Sequence, residues 1–250
     1  MTDACIRIVI SGTSPVENTS KPMNATVATG IYSVREAARL TRVHPSRIRR
    51  WVCGYDYRRG DRKRHSGAVW KGQISPAEGV VALGFFDLLE VRFVAAFINA
   101  GVSWRTMREA HALAARELGS SHPFCTNRFV TDGQRILMRH AKACEDSALL
   151  DIVSRQQEFS KIIAPFIKEL EFDEQQVVRR WWPLGRERGV VLDPDRNFGQ
   201  PTVALSGVPT QILARSLKAN AQSVELVARW YEVSPKEITD AMDFEQSLAA

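Results

Sequence analysis

Four cysteines in 250 residues, Cys5, Cys53, Cys125 and Cys144, include no close pair of the kind a zinc site needs. No Cys-x-x-Cys occurs, and a structural zinc site wants such close pairs. The five histidines, His44, His65, His111, His122 and His140, are scattered, with no His-Glu-x-x-His among them. There is no glycine-rich phosphate loop. Acidic pairs such as Glu145-Asp146 and Asp173-Glu174 read as solvated surface. Hydrolytic chemistry needs convergent carboxylates, a nucleophile with its base, or metal ligands, and the spacing offers none of these. The expectation is a protein that is not an enzyme and needs no cofactor and no metal.

Long apolar runs are missing too. Nothing approaches the roughly 18 residues that span a bilayer, so no membrane association is expected. The short patch Ile6 to Ile10 lacks a signal-peptide layout. Unpaired cysteines suit a reducing compartment, so the expected location is cytoplasmic. No internal repeat, low-complexity tract or long heptad run is visible.

What is present is charge, and it is unevenly spread. The whole chain carries +6, yet residues 31–75 alone carry 12 Lys+Arg against 3 Asp+Glu. Everything outside that segment is net negative. Clustered basic charge supplies the salt-dependent, sequence-independent part of DNA affinity by releasing counterions.

The segment from Tyr32 to Trp51 reads as two short helices joined by a tight turn. Ser33 and Glu36 have capping-box spacing, so a helix starts at Val34. Pro45 suits the first position of the second helix, where a missing N–H costs nothing, and His44 precedes it as a cap. Arg42 sits at the turn position where glycine is frequent. Ala37, Ala38, Leu40, Val43, Ile48 and Trp51 can share one small core. Arg47, Arg49 and Arg50 cannot all join it. The commonest use of such a hairpin is to place the second helix in the DNA major groove, so Ser46, Arg47, Arg49 and Arg50 are expected to face DNA. The run Tyr55 to Gly67 is basic, aromatic and turn-rich. It reads as a wing, a β-hairpin laying Arg58, Arg59, Arg62, Lys63 and Arg64 along the phosphate backbone, with Val69-Trp70-Lys71 as a returning strand.

These motifs, Ser33-Val34-Arg35-Glu36-Ala37-Ala38, then Val43, then Arg47-Ile48-Arg49-Arg50-Trp51, resemble the MerR-type winged helix-turn-helix. In that family further helices pack on the DNA-binding core. Phe85 to Ile98, ending near Gly101, and Trp104 to Leu118, capped by Ser103 and ended by Gly119, fit such helices. The resemblance covers residues 31–118 and stops there, because no coiled coil or metal-binding cysteine set follows.

Residues 1–30, rich in Ser, Thr, Asn, Pro and Gly from Ser11 onward, read as a mobile N-terminal arm. Residues 120–202 read as a mixed α/β linker and dimerisation region. Phe124 to Thr131 and Gln134 to Met138 flank Asp132-Gly133, a strong hairpin-turn signal, so a β-hairpin is expected there with His122 and His140 at its ends. Ala148 to Ile163 reads as a helix, and Leu170 to Phe172, Val177 to Trp182 and Val190 to Leu192 as short strands. Arg179-Arg180-Trp181-Trp182 could form a stacking platform for single-stranded nucleic acid, but alternation along a strand favours core or interface packing.

In residues 203–250, Ser206-Gly207-Val208-Pro209-Thr210 opens a helix to Ala219, with Asn220 as its stop. Ser223 to Tyr231 and Val233 to Met242 follow as two more helices, the last with Ser234 and Glu237 as a capping box. The tail Phe244 to Ala250 is read as a segment that docks in a groove. The pattern Gly-x-Pro-Thr, Ser-Val-Glu-x-x-Ala-x-x-Tyr and a capped Ile-x-x-Ala helix is similar to the small helical domain that ends many VapB-type antitoxins. That resemblance implies a protein toxin as partner, a PIN-type ribonuclease. From Pro201 to Ala250 there are 4 basic and 6 acidic side chains, which argues against a second DNA-binding hairpin.

The expected fold is therefore α+β, mostly α with small β elements: a winged helix-turn-helix (31–75), packing helices (76–119), a central hairpin and helix region (120–202) and a C-terminal three-helix bundle (203–250). The expected function is a DNA-binding antitoxin of a type II system. It would bind double-stranded operator DNA as a homodimer, repress its own operon and neutralise the toxin. A MerR-like regulator with an effector, or a plasmid or phage DNA-architectural protein, are the alternatives.

Overall fold

The computed structural model describes residues 29–76 and 79–249. The expected arm falls almost entirely outside them. The fold is mixed α+β, predominantly helical with small sheets. Strand β1 (Tyr32–Ser33) leads into α1 (Val34–Thr41) and α2 (Pro45–Cys53). The hairpin β2 (Tyr55–Arg59) and β3 (Arg62–Ser66) follows. Strand β4 (Ala82–Leu83) then returns to pair antiparallel with β1.

Helices α3 (Phe85–Asn99) and α4 (Trp104–Leu118) form the next layer. Ten of the fifteen residues of α3 are buried, including two carboxylates, Asp87 and Glu90. A buried charge is tolerated only when paired or hydrogen-bonded, and both are. Asp87 accepts from the Trp70 indole N–H, the backbone N–H groups of Gln73 and Gly84, and His122 Nε2. Glu90 meets His111 Nε2 at 3.0 Å and accepts from the Phe124 backbone N–H.

The sequence between 120 and 169 departs from expectation. There is no β-hairpin at 124–138. A short 3-10 turn (Pro123–Cys125) leads instead into α5 (Asn127–Cys144), capped by Thr126. Gly133 lies inside that helix with ordinary helical backbone. A Cβ there would come within 2.7 Å of the Phe129 ring. The glycine permits close packing and makes no turn. His122 therefore turns to Asp87, and His140 Nε2 lies near Glu109 at 3.9 Å, beyond hydrogen-bond reach, so the two histidines do not pair with each other. The single helix expected over Ala148 to Ile163 is two, α6 (Ser147–Ser154) and α7 (Gln156–Glu169), broken where Arg155 is extended.

Strands β5 (Leu170–Phe172), β6 (Val178–Trp181), β7 (Val190–Leu192) and β8 (Pro201–Val203) form an antiparallel sheet in sequence order. Strand β8 was not expected from the sequence. Trp181 is buried, with its indole N–H donating to Glu169, while Trp182 is half-buried and donates to Glu171. The pair is thus packed and hydrogen-bonded in the fold. Arg92 is held between the Phe166 and Trp181 rings and paired with Glu169 at 2.8 Å.

Helices α8 (Thr210–Ala219), α9 (Val224–Tyr231) and α10 (Pro235–Ser247) close the chain. Leu213, Leu217, Val227, Val233, Ile238 and Ala241 form their own small core with Val203. Phe244 is no docking tail. It lies within α10 and is buried in the main core, which runs from Tyr32 onward.

Candidate nucleic-acid interface

The hairpin α1–α2 is built as its caps dictate. Ser33 Oγ accepts from the Glu36 N–H and Glu36 Oε2 accepts from the Ser33 N–H, so both orphan donors are satisfied. Arg42 takes the left-handed conformation at φ 58°, the position where glycine is usual. His44 Nδ1 accepts the Ser46 N–H at the start of α2, and Pro45 follows at the first helical position. Ile48 and Trp51 point inward beside Val34, Ala37, Leu40 and Val43, all buried in the main core.

Helix phase then sorts the remaining residues of α2. Ser46, Arg49, Arg50 and Cys53 are exposed along the ridge opposite Ile48 and Trp51. Arg47 is half-buried, its guanidinium 5.2 Å from the Trp51 ring centre. Arg50 reaches over Tyr55, at 5.3 Å. Trp51 in turn stacks on Trp104 at 5.6 Å and 12°, which fixes the start of α4 against the end of α2. Arg49 is exposed and carries no such ring contact among the described residues.

Gly54 makes the sharp exit from α2, with φ 75°. A Cβ there would meet the Ser66 carbonyl oxygen at 2.5 Å. The segment expected as a wing is a regular β-hairpin with a two-residue loop. Gly60 takes φ 60° at the first turn position, as a mirror-type turn requires. The register pairs Asp56 with His65, Tyr57 with Arg64, Arg58 with Lys63 and Arg59 with Arg62. Arg58, Arg59, Arg62, Lys63 and Arg64 are all exposed. Lys63 is partnered, its Nζ 3.2 Å from Asp56, which also meets His65 Nδ1 at 2.8 Å. The hydrogen bond from His65, then the hydrogen bond and charge of Lys63, hold the Asp56 carboxyl below the usual carboxylate range.

Val69-Trp70-Lys71 forms no returning strand; β3 ends at Ser66. Val69 donates its N–H to the Trp51 carbonyl and is buried, as is Trp70. These residues root the wing in the core. Sequence reasoning missed the supporting set of Tyr55, Asp56, Trp104 and Arg108, the last donating to Ser66 Oγ at 3.2 Å. The two-residue turn at Gly60-Asp61 fixes the pairing of position 56 with 65, so Asp56 could have been found from register. Trp104 and Arg108 lie on another helix and leave no local signal.

The outcome is a helix-turn-helix whose second helix exposes Arg49 and Arg50 and is followed by a β-hairpin with five exposed cations. Residues 30–111 match a family model described as "Putative DNA-binding HTH domain". Over 223 residues the chain is 27% identical to a Mycobacterium tuberculosis protein named "Putative antitoxin VapB45", covering 85% of this chain and 92% of that one. A solved structure titled as Rv2018 from Mycobacterium tuberculosis superposes with a TM-score of 0.66. It is 24% identical and covers 85% of this chain and 96% of that one. At that identity the likeness is one of fold. No helix among the described residues is long and apolar enough to cross a membrane.

Proposed function

We propose that this chain is a DNA-binding antitoxin that represses its own operon and neutralises a PIN-type ribonuclease toxin. The observation that carries the DNA half is the exposed ridge Ser46, Arg49, Arg50 on α2 beside five exposed cations of the wing. A helix presenting arginine ahead of a basic hairpin suits a major groove and its flanking phosphates. On this reading Arg49 reaches a base edge, since paired hydrogen bonds from arginine to guanine are the commonest specific contact. Arg47 and Arg50, held by Trp51 and Tyr55, and Arg58, Arg59, Arg62, Lys63 and Arg64 grip the backbone.

The antitoxin half is supported by the named relative, whose match extends over most of both chains. On this reading residues 203–250 take the toxin and residues 31–75 the operator, with 76–119 bracing the DNA-binding unit and 120–202 joining the two and mediating a homodimer. Two-fold operators favour two-fold proteins. A binding regulator, not a catalyst, is what these likenesses support. The test is a nuclease-treated pull-down of the tagged chain from its native host. A stoichiometric small protein with the acidic cluster of a PIN-type nuclease is the expected companion. Recovery of the chain alone would leave a stand-alone regulator as the better account.

A further inference from the structure

Helix α9 is apolar on more sides than the fold covers. Its residues include Val224, Leu226, Val227, Ala228, Trp230 and Tyr231, yet only Val227 is fully buried. Val224, Ala228 and Tyr231 pack against the small C-terminal core. Leu226 and Trp230, one turn apart, share a different flank, and Trp230 is 58% exposed. A helix that is apolar beyond one stripe is expected to be covered on more than one side.

The neighbouring helix extends the same surface. Ser216 and Tyr231 hydroxyls meet at 2.8 Å, which sets the row Ile212–Ser216 of α8 alongside the end of α9. Ile212 is 43% exposed. The charges around these residues are also unspent. Most of the acids in residues 203–250 are engaged within the fold: Glu237 with Ser206 and Ser234, Asp240 and Asp243 with Arg188, Glu245 with Thr210 and Arg39. Helix α8 has no acid at all. Its exposed cations Arg215 and Lys218, and Arg229 on α9, form no ion pair among the described residues, while Glu225 and Glu232 are the remaining exposed acids. The net negative composition of this part of the chain is therefore not what its outer face shows.

We propose that the α8–α9 face, centred on Trp230 with Leu226 and Ile212 and flanked by Arg215 and Arg229, seats in an apolar groove with an acidic rim on a protein partner. The mode is helix-in-groove, with anchors one turn apart. Tryptophan and arginine are the residue types that most often carry such contacts. The proposal rests on the antitoxin reading and names the surface and the partner chemistry that reading leaves open.

The test is titration of the full chain with the purified small protein encoded beside it, read by calorimetry. Two variants accompany it, Trp230→Ala and the double reversal Arg215→Glu with Arg229→Glu. Both alter exposed side chains, so circular dichroism and DNA binding should match wild type. Each should weaken the complex by about tenfold or more, the size expected of a central anchor, and the reversal should act most strongly at low salt. Wild-type affinity in both variants would overturn this surface and leave the antitoxin reading standing. Failure of the wild-type chain to bind would overturn both. Loss of self-association in Trp230→Ala, with partner binding intact, would assign the face to a second copy of the chain and also overturn the proposal.

Discussion

The indole N–H of Trp70 donates to the buried carboxylate of Asp87 across 2.8 Å, joining the root of the wing to helix α3. The same carboxylate accepts from Gln73 and Gly84 and meets His122 at 2.9 Å. Trp70, Gln73, Gly84 and His122 thus converge on this one side chain. Removing one partner of a buried set leaves the others desolvated and unpaired. Asp87→Ala is expected to cost about 3–5 kcal/mol, read as a lowered midpoint in urea unfolding. An unchanged midpoint would mean that the donors find other acceptors.

Gly54 predicts a sharper local effect. Its φ of 75° and the closeness of the Ser66 carbonyl leave no room for a Cβ. Gly54→Ala should cost about 1–3 kcal/mol of backbone strain and should weaken DNA binding, because the residue sets the angle between α2 and the wing. Gly67→Ala is the matched control, since a Cβ there meets open space.

The arginines of α2 and of the wing should separate in a salt titration. Arg49→Ala is expected to weaken specific DNA by about 1–3 kcal/mol and random DNA much less. Arg62→Ala should weaken both alike and reduce the salt slope by about one. The reverse pattern would exchange their roles.

Asp56 gives a pH prediction with a definite sign. Its carboxyl titrates below the usual range because His65 and Lys63 favour the ionised form. A depressed carboxylate contributes when it is ionised, above its unfolded pKa, and that contribution fades as pH falls through the lowered folded value. The Asp56 titration followed by NMR should therefore have its midpoint below that of an unperturbed aspartate, and His65→Ala should move it upward. Asp56→Asn removes an acid from the wing and frees Lys63, so non-specific DNA binding at low salt should tighten.

How much of this was legible in the chain depends on how local the signal is. The starts of α1, α2, α4 and α10 follow from Ser33, Pro45, Ser103 and Ser234, whose caps act within one turn, while the end of α10, at Ser247 and not Met242, left no such signal. The basic wing was legible from composition and its Gly60-Asp61 turn. Asp132-Gly133 misled because the same dipeptide serves a hairpin turn or a close helix contact, and only the Phe129 ring decides between them. Trp70 looked like a strand residue, but its partner Asp87 lies 17 positions away, beyond any local pattern. The division of Arg47 from Arg49 needed the phase of α2 and the ring of Trp51. The outer face of α8–α9 was hidden because net charge does not say which acids are turned inward.

The most direct test of the account is fluorescence anisotropy of the purified chain on duplex DNA from upstream of its own gene, beside a scrambled duplex, at graded salt. The account predicts that the upstream duplex binds at least about a thousandfold more tightly than the scrambled one at physiological salt. Both affinities should fall linearly in log–log plots as salt rises. Equal affinity for the two duplexes, or binding that ignores salt, would contradict it.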